Sequence, residues 1–176
     1  MGLIEFAKNV GRKLGLGDDD DKKVQGQGPQ AGAHPAPPTP QQVQELHDRR
    51  RAAALVKLVQ DMGFHVDELG VRVDGDKVTL TGQAKSQEDR EKIALLVGNV
   101  EGIGSVDDKM TAAQAAPEAT FYEVKPGDNL SKISKHFYGD ANKYHKIFEA
   151  NRPMLKDPDE IYPGQRLRIP DATPAA

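Results

Sequence analysis

Cysteine is absent from this 176-residue chain. Disulfides, thiolate nucleophiles and cysteine-based zinc sites are therefore excluded, and every folded unit must hold together by burial and hydrogen bonding alone. Aromatic residues are scarce at 5%, and the hydrophobic share reaches only 37%. With 12 Pro and 17 Gly besides, a good part of the chain is expected to stay outside any packed interior. No stretch approaches the ~18 consecutive apolar residues of a membrane span. The start, Met1-Gly2-Leu3-Ile4-Glu5-Phe6-Ala7-Lys8, lacks a basic run followed by an apolar one, so neither a visible export signal nor a membrane anchor is expected. Phe6 also stands where an N-myristoylation motif requires Ser or Thr. A cytoplasmic protein is the expectation that follows. A basic excess is missing too. The formal net charge is −3, divided as −4 over residues 1–120 and +2 over residues 121–170, which argues against a nucleic-acid partner. Arg49-Arg50-Arg51 is the one basic run, and it reads as a solvated helix face.

What is present falls into segments. In residues 1–16, Leu3, Phe6, Ala7, Val10 and Leu14 recur at three- and four-residue steps, the spacing of one face of a short amphipathic helix. Such a helix is too short to persist alone and must dock on something. Residues 17–42 carry Asp18 to Asp21 and then Pro29, Pro35, Pro37, Pro38 and Pro40, which reads as an acidic, proline-rich linker with little to bury.

From residue 43 to residue 111 the pattern is that of a folded unit. Ala52, Leu55, Leu58, Val59 and Met62 form a helical stripe that should end at Gly63. Val71-Arg72-Val73 and Val78-Thr79-Leu80 alternate around Asp74-Gly75-Asp76, a hairpin signal. Ser86-Gln87-Glu88-Asp89 resembles a capping box, followed by Ile93, Leu96 and Val97. The glycine-rich stretch Gly98 to Gly104 then breaks the helix before a last strand carrying Val106 and Met110. The order helix-strand-strand-helix-strand, with Val78-Thr79-Leu80-Thr81-Gly82 and Gly102-Ile103-Gly104-Ser105-Val106, resembles the BON domain.

Residues 112–120 are small and read as a second linker, and residues 171–176 as a tail. Between them, residues 121–170 hold seven of the nine aromatic residues, whose first duty in so small a unit is to fill its core. Leu130, Ile133 and Phe137 mark one helix, with Asp128 or Asn129 as its N-cap. Tyr144, Ile147 and Phe148 mark a second, closed before Pro153. Strands are expected at Tyr122 to Val124 and at Leu167 to Ile169. The β-α-α-β order, with Tyr122-Glu-Val-Lys-Pro-Gly-Asp-Asn-Leu130, Tyr138-Gly139, Ala150-Asn151 and Ile161-Tyr-Pro-Gly-Gln-Arg-Leu-Arg-Ile-Pro170, resembles LysM. The fold class expected is α+β, as two small domains with a short N-terminal helix.

The LysM resemblance implies a shallow groove for N-acetylglucosamine-containing glycans, peptidoglycan or chitin-like oligomers. Its two loops would be formed here by Gly127, Asp128, Asn129 and Leu130 and by Ile161, Tyr162, Pro163 and Gly164. The same residues equally make turns and cap a helix. Taken whole, the chain resembles the bacterial BON–LysM proteins, whose best-known type is cytoplasmic and binds potassium, through Met1-Gly2-Leu3, Val97-Gly98-Asn99, Gly102-Ile103, Ser105-Val106-Asp107-Asp108 and Lys146 to Lys156. The insertion at 17–42 departs from that pattern. The resemblance implies selective K+ binding with a change to a compact shape, as an ion sensor or buffer. It places the donor carbonyls at Ala7, Val10, Gly98, Val100 and Ile103, although an ordinary helix C-cap would account for the glycines as well. A monomer without enzymatic activity is expected. Ser134 and His136 do not share a helix face, so no nucleophile–base pair forms with Asp128.

Overall fold

A computed structural model describes residues 2–7 and 37–172. Residues 8–16 of the helix expected over 1–16, with the candidate donor Val10, most of the 17–42 insertion and residues 173–176 lie outside the described residues.

The first unit opens with α1, Pro40–Asp61. Thr39 and Gln42 close a reciprocal capping box, and Pro40 takes the first helical position, where no N–H is needed. The helix buries Asp48, Arg51, Leu55, Leu58 and Val59. A hairpin follows, β2 at Val66–Asp74 and β3 at Lys77–Ser86, paired antiparallel with a register shift between Asp67 and Gly70. Helix α2, Gln87–Gly98, starts where the Ser86 hydroxyl accepts the Asp89 N–H at 3.0 Å. It serves as the crossover that parallel pairing requires, because β4, Ser105–Asp108, and β5, Thr111–Gln114, both run parallel to β3. β4 takes the Lys77–Leu80 half of β3 and β5 the Gln83–Ser86 half. Residues 112–114 of the expected linker are thus strand, since their backbone completes the edge of β3.

The N-terminal helix is corrected in its described part. Leu3–Glu5 is a strand, β1, antiparallel to β4 with Ile4 opposite Val106. Ile4 and Phe6 are buried while Leu3 and Glu5 are exposed, a two-residue alternation that serves a strand. β4 would otherwise present a row of open N–H and C=O groups, and pairing with β1 satisfies them.

The second unit pairs β6, Thr120–Glu123, antiparallel with β7, Arg166–Ile169. Between them lie α3, Leu130–Tyr138, a 3₁₀ turn at Ala141–Lys143 and α4, Tyr144–Ala150. Val124, Leu130, Ile133, Phe137, Ile147, Leu155, Leu167 and Ile169 are its buried core, each large aliphatic side chain contributing roughly 1.5–3 kcal/mol. Tyr122 meets Phe137 edge to face at 5.4 Å. Phe121 departs from the expected core role and packs on the first unit, as Met154 does on both. No described helix is long and apolar enough to cross a membrane.

The two units meet along α2 and β7. Glu91 on α2 is fully buried, and its carboxylate accepts three hydrogen bonds: from Gln87 Nε2 at 2.9 Å, from the Ala119 N–H at 3.0 Å and from Arg168 Nε at 2.6 Å. One carboxylate thus joins helix, inter-unit segment and second unit. Removing one partner of such a pair leaves the other buried and uncompensated. Glu91→Ala should lose roughly 3–5 kcal/mol in urea denaturation. The double variant Glu91→Leu/Arg168→Leu should recover most of that loss, and equal losses from both would contradict the assignment.

Candidate functional site

The glycine-rich stretch after α2 is held from several directions. The Asn99 and Val100 N–H groups bond to Leu95 and Val97 carbonyls at 2.9 and 3.1 Å, closing the helix. Val100 to Ile103 form a turn in which the Val100 carbonyl accepts the Ile103 N–H at 3.1 Å. Gly102 has φ +86° there, a conformation costly for residues with a Cβ. At the exit, the Gly104 N–H donates to the Asp76 carbonyl at 2.8 Å, and the Gly104 carbonyl accepts the Phe6 N–H at 2.8 Å. That last bond follows directly on the β1–β4 pairing, whose register ends with Glu5 opposite Ser105.

Gly98 sits against the Phe6 ring so closely that a Cβ would come 2.0 Å from Phe6 Cζ. Three of the five expected donor residues, Gly98, Val100 and Ile103, therefore share the α2 C-terminus and its following turn, on which Phe6 packs, and Ala7 follows Phe6 in the chain. Val10 lies outside the described residues. The Val100 carbonyl keeps a second lone pair after its turn bond. Among the described residues no three His, Asp or Glu side chains group to hold a metal.

The two glycan-loop segments also come together. The Gly164 N–H donates to the Val124 carbonyl, and the Val124 N–H to the Gln165 carbonyl, both at 2.8 Å. This lays the Tyr162–Gln165 turn beside the Lys125–Asp128 turn, which carries Gly127. Within the pair, Asn129 is the N-cap of α3, accepting the Lys132 N–H at 2.8 Å. Asp128 instead accepts the Tyr122 hydroxyl at 2.8 Å and the Lys125 N–H at 2.9 Å. Burial, then the bond to this carboxylate and its charge, push the Tyr122 phenol up to about 12. Leu130 is buried in the core. Ile161 and Tyr162, with Glu160 and Gln165, face Leu58, Leu96 and Asn99 of the first unit across a cleft of about 340 Å³ that Met154 also lines. Ser134, buried on α3, donates to the Asp140 carbonyl at 2.6 Å rather than to His136.

Family models match in two places, a BON domain at residues 43–114 and a LysM domain at residues 122–170. Over 178 residues the chain is 43% identical to the Potassium binding protein Kbp of Escherichia coli, spanning 97% of this chain and 99% of that one. The chain belongs to that BON–LysM family. An uncharacterized protein of Deinococcus radiodurans is 36% identical over 139 residues, 72% of this chain and 54% of its own length. Esterase Rv1288 of Mycobacterium tuberculosis is 44% identical over 57 residues, which is 12% of the esterase. So small a share carries no esterase chemistry to this BON–LysM chain.

Sequence reasoning named the carbonyls of Gly98 and Val100 and passed over the side chain between them. Asn99 Nδ2 donates to the Arg166 carbonyl and Asn99 Oδ1 accepts the Arg166 N–H, both at 2.9 Å. The Arg166 guanidinium in turn lies 5.6 Å from the Phe6 ring centre. BON loop, LysM strand and N-terminal strand thus share one junction. Gly98→Ala should drive Phe6 from its seat, costing about 1–3 kcal/mol as overpacking does, with faster amide hydrogen exchange at Ile4 and Phe6. Unchanged protection there would rule this packing out. Asn99→Ala leaves both Arg166 backbone groups without their partner, and a loss of roughly 1–3 kcal/mol is expected in urea denaturation.

Proposed function

We propose that this BON–LysM protein binds K+ through backbone carbonyls of Ala7, Val10, Gly98, Val100 and Ile103, and becomes more compact when it does so. The observation that carries the reading is the end-to-end likeness to a relative named for potassium binding. What supports it is the position of Phe6, next to Ala7 in the chain: its ring packs on Gly98 and its N–H bonds to the Gly104 carbonyl, one residue past Ile103. K+ is large and weakly hydrated, and a set of carbonyl dipoles can replace its water shell without side-chain charge. Such a set drawn from both the N-terminal segment and the α2 loop would clamp the first onto the second. An ion preferring the clamped state shifts the population toward it. The role is that of a cytoplasmic, monomeric K+ sensor or buffer with no enzymatic step.

A second reading is favoured by the LysM match and by the cleft that Ile161 and Tyr162 line. In it the LysM loops hold an N-acetylglucosamine polymer, and the protein attaches to peptidoglycan. The two readings make different demands on solution behaviour, so isothermal titration of the full chain with KCl, NaCl and a chitin oligomer in parallel separates them.

Heat and a thermal shift are expected with K+, with far weaker responses to Na+. At one hundred times Kd the stabilisation should be about 2.7 kcal/mol. Equal shifts from both ions, or none, would overturn the K+ reading, and capture on purified cell-wall sacculi would favour the second.

A further inference from the structure

The Arg49-Arg50-Arg51 run sends one side chain inward. Arg49 and Arg50 are exposed, whereas the Arg51 side chain is only 10% exposed. Its Nη1 donates to the Gly75 carbonyl in the β2–β3 turn, and its Nη2 donates to the Gly102 carbonyl at 3.1 Å. Asp48, one helical turn earlier and 12% exposed, lies 3.9 Å from Arg51 Nη1. Its other carboxylate oxygen accepts the Gly75 N–H at 3.4 Å. A guanidinium is a rigid planar fork with donors and no acceptor, so two backbone bonds from it fix direction as well as distance.

Gly102 lies in the turn between Val100 and Ile103, whose carbonyls are proposed donors to the ion. We infer that Arg51 is a positioning residue for the K+ loop. It does not touch the ion. By committing the Gly102 carbonyl toward α1, it sets the planes of the neighbouring peptides, while Asp76 and Phe6 fix the exit of the same loop at Gly104. Asp48 matters for a second reason. A lone guanidinium would oppose a cation bound nearby, and the carboxylate beside it offsets that charge. A loop held at this spacing resists closing around the smaller Na+, so selectivity as well as affinity should depend on Arg51. The inference rests on the K+ reading above.

The test uses the full chain with Arg51→Gln and Arg51→Lys, each titrated separately with KCl and NaCl, and thermal unfolding in ion-free buffer alongside. Groups that orient metal ligands typically change affinity by roughly 10–100-fold when removed. A loss of that size is expected for K+ in Arg51→Gln, with a smaller change for Na+, so the K+ to Na+ affinity ratio falls. Arg51→Lys keeps the charge and can reach one carbonyl, and should recover part of the ratio. A lower unfolding temperature with an unchanged ratio means a merely structural role and overturns the inference. If Arg51→Gln does not fold, an unchanged ratio in Arg51→Lys overturns it equally. A wild-type chain that gives no response to K+ is a different failure, because it removes the K+ reading itself.

Discussion

Strand β7 has a strand partner on one side only, and the way its other edge is satisfied governs how the molecule is assembled. Two asparagine side chains stand in for the missing strand. Asn151 Nδ2 donates to the Arg168 carbonyl at 2.8 Å, and its Oδ1 accepts the Arg168 N–H at 2.7 Å. Asn99 makes the same pair of bonds with Arg166. A side-chain amide carries the donor and acceptor of a peptide group, so each asparagine pairs one residue of the edge as a neighbouring strand would. Asn151 belongs to the LysM unit itself, but Asn99 is the C-cap of BON helix α2. The LysM sheet is therefore finished only by leaning on the BON domain.

The rest of the junction follows from that docking. With β7 laid along α2, Arg168 reaches the buried Glu91 and Arg166 covers Phe6. Phe6 in turn fills the space beside Gly98, which only a residue without a Cβ can leave open. The stretch from Gly98 to Gly104 is consequently touched by α1 through Arg51, by the β2–β3 turn through Asp76, by the N-terminal strand through Phe6 and by LysM through Asn99. A ligand that prefers one geometry of this loop acts on all four at once, which is the physical requirement for coupling a local event to the relation between domains.

The elements with strong local signals were legible. Stripes such as Leu55, Leu58 and Val59 or Leu130, Ile133 and Phe137 repeat with the helix period and end at residues that stop helices, and the hairpin around Gly75 alternates cleanly. The N-terminal segment was not. Leu3, Phe6, Ala7 and Val10 satisfy helix spacing, yet Ile4 and Phe6 satisfy strand alternation equally. The choice was made by the open edge of β4, about a hundred residues away. Arg51 was legible in part: Asp48, Arg51, Ala52 and Leu55 follow the same three- and four-residue steps as the buried face of α1. The charge of the run hid this, because a buried arginine is tolerated only where acceptors await it, and those acceptors come from two distant turns.

The sequence by itself determined the two-domain order, the helices and hairpin, and the glycines that free the backbone where β1 meets α2. These depend on nearest neighbours along the chain, for which period, capping and steric freedom are sufficient causes. Tertiary structure alone decided that the N-terminus is a strand, that Asn99 completes a LysM edge, that Glu91 receives Arg168, and that the Ile161–Gln165 loop faces the BON domain. Each of these satisfies a polar group or fills a space supplied by a distant part of the chain, and such a need exists only once both parts have folded.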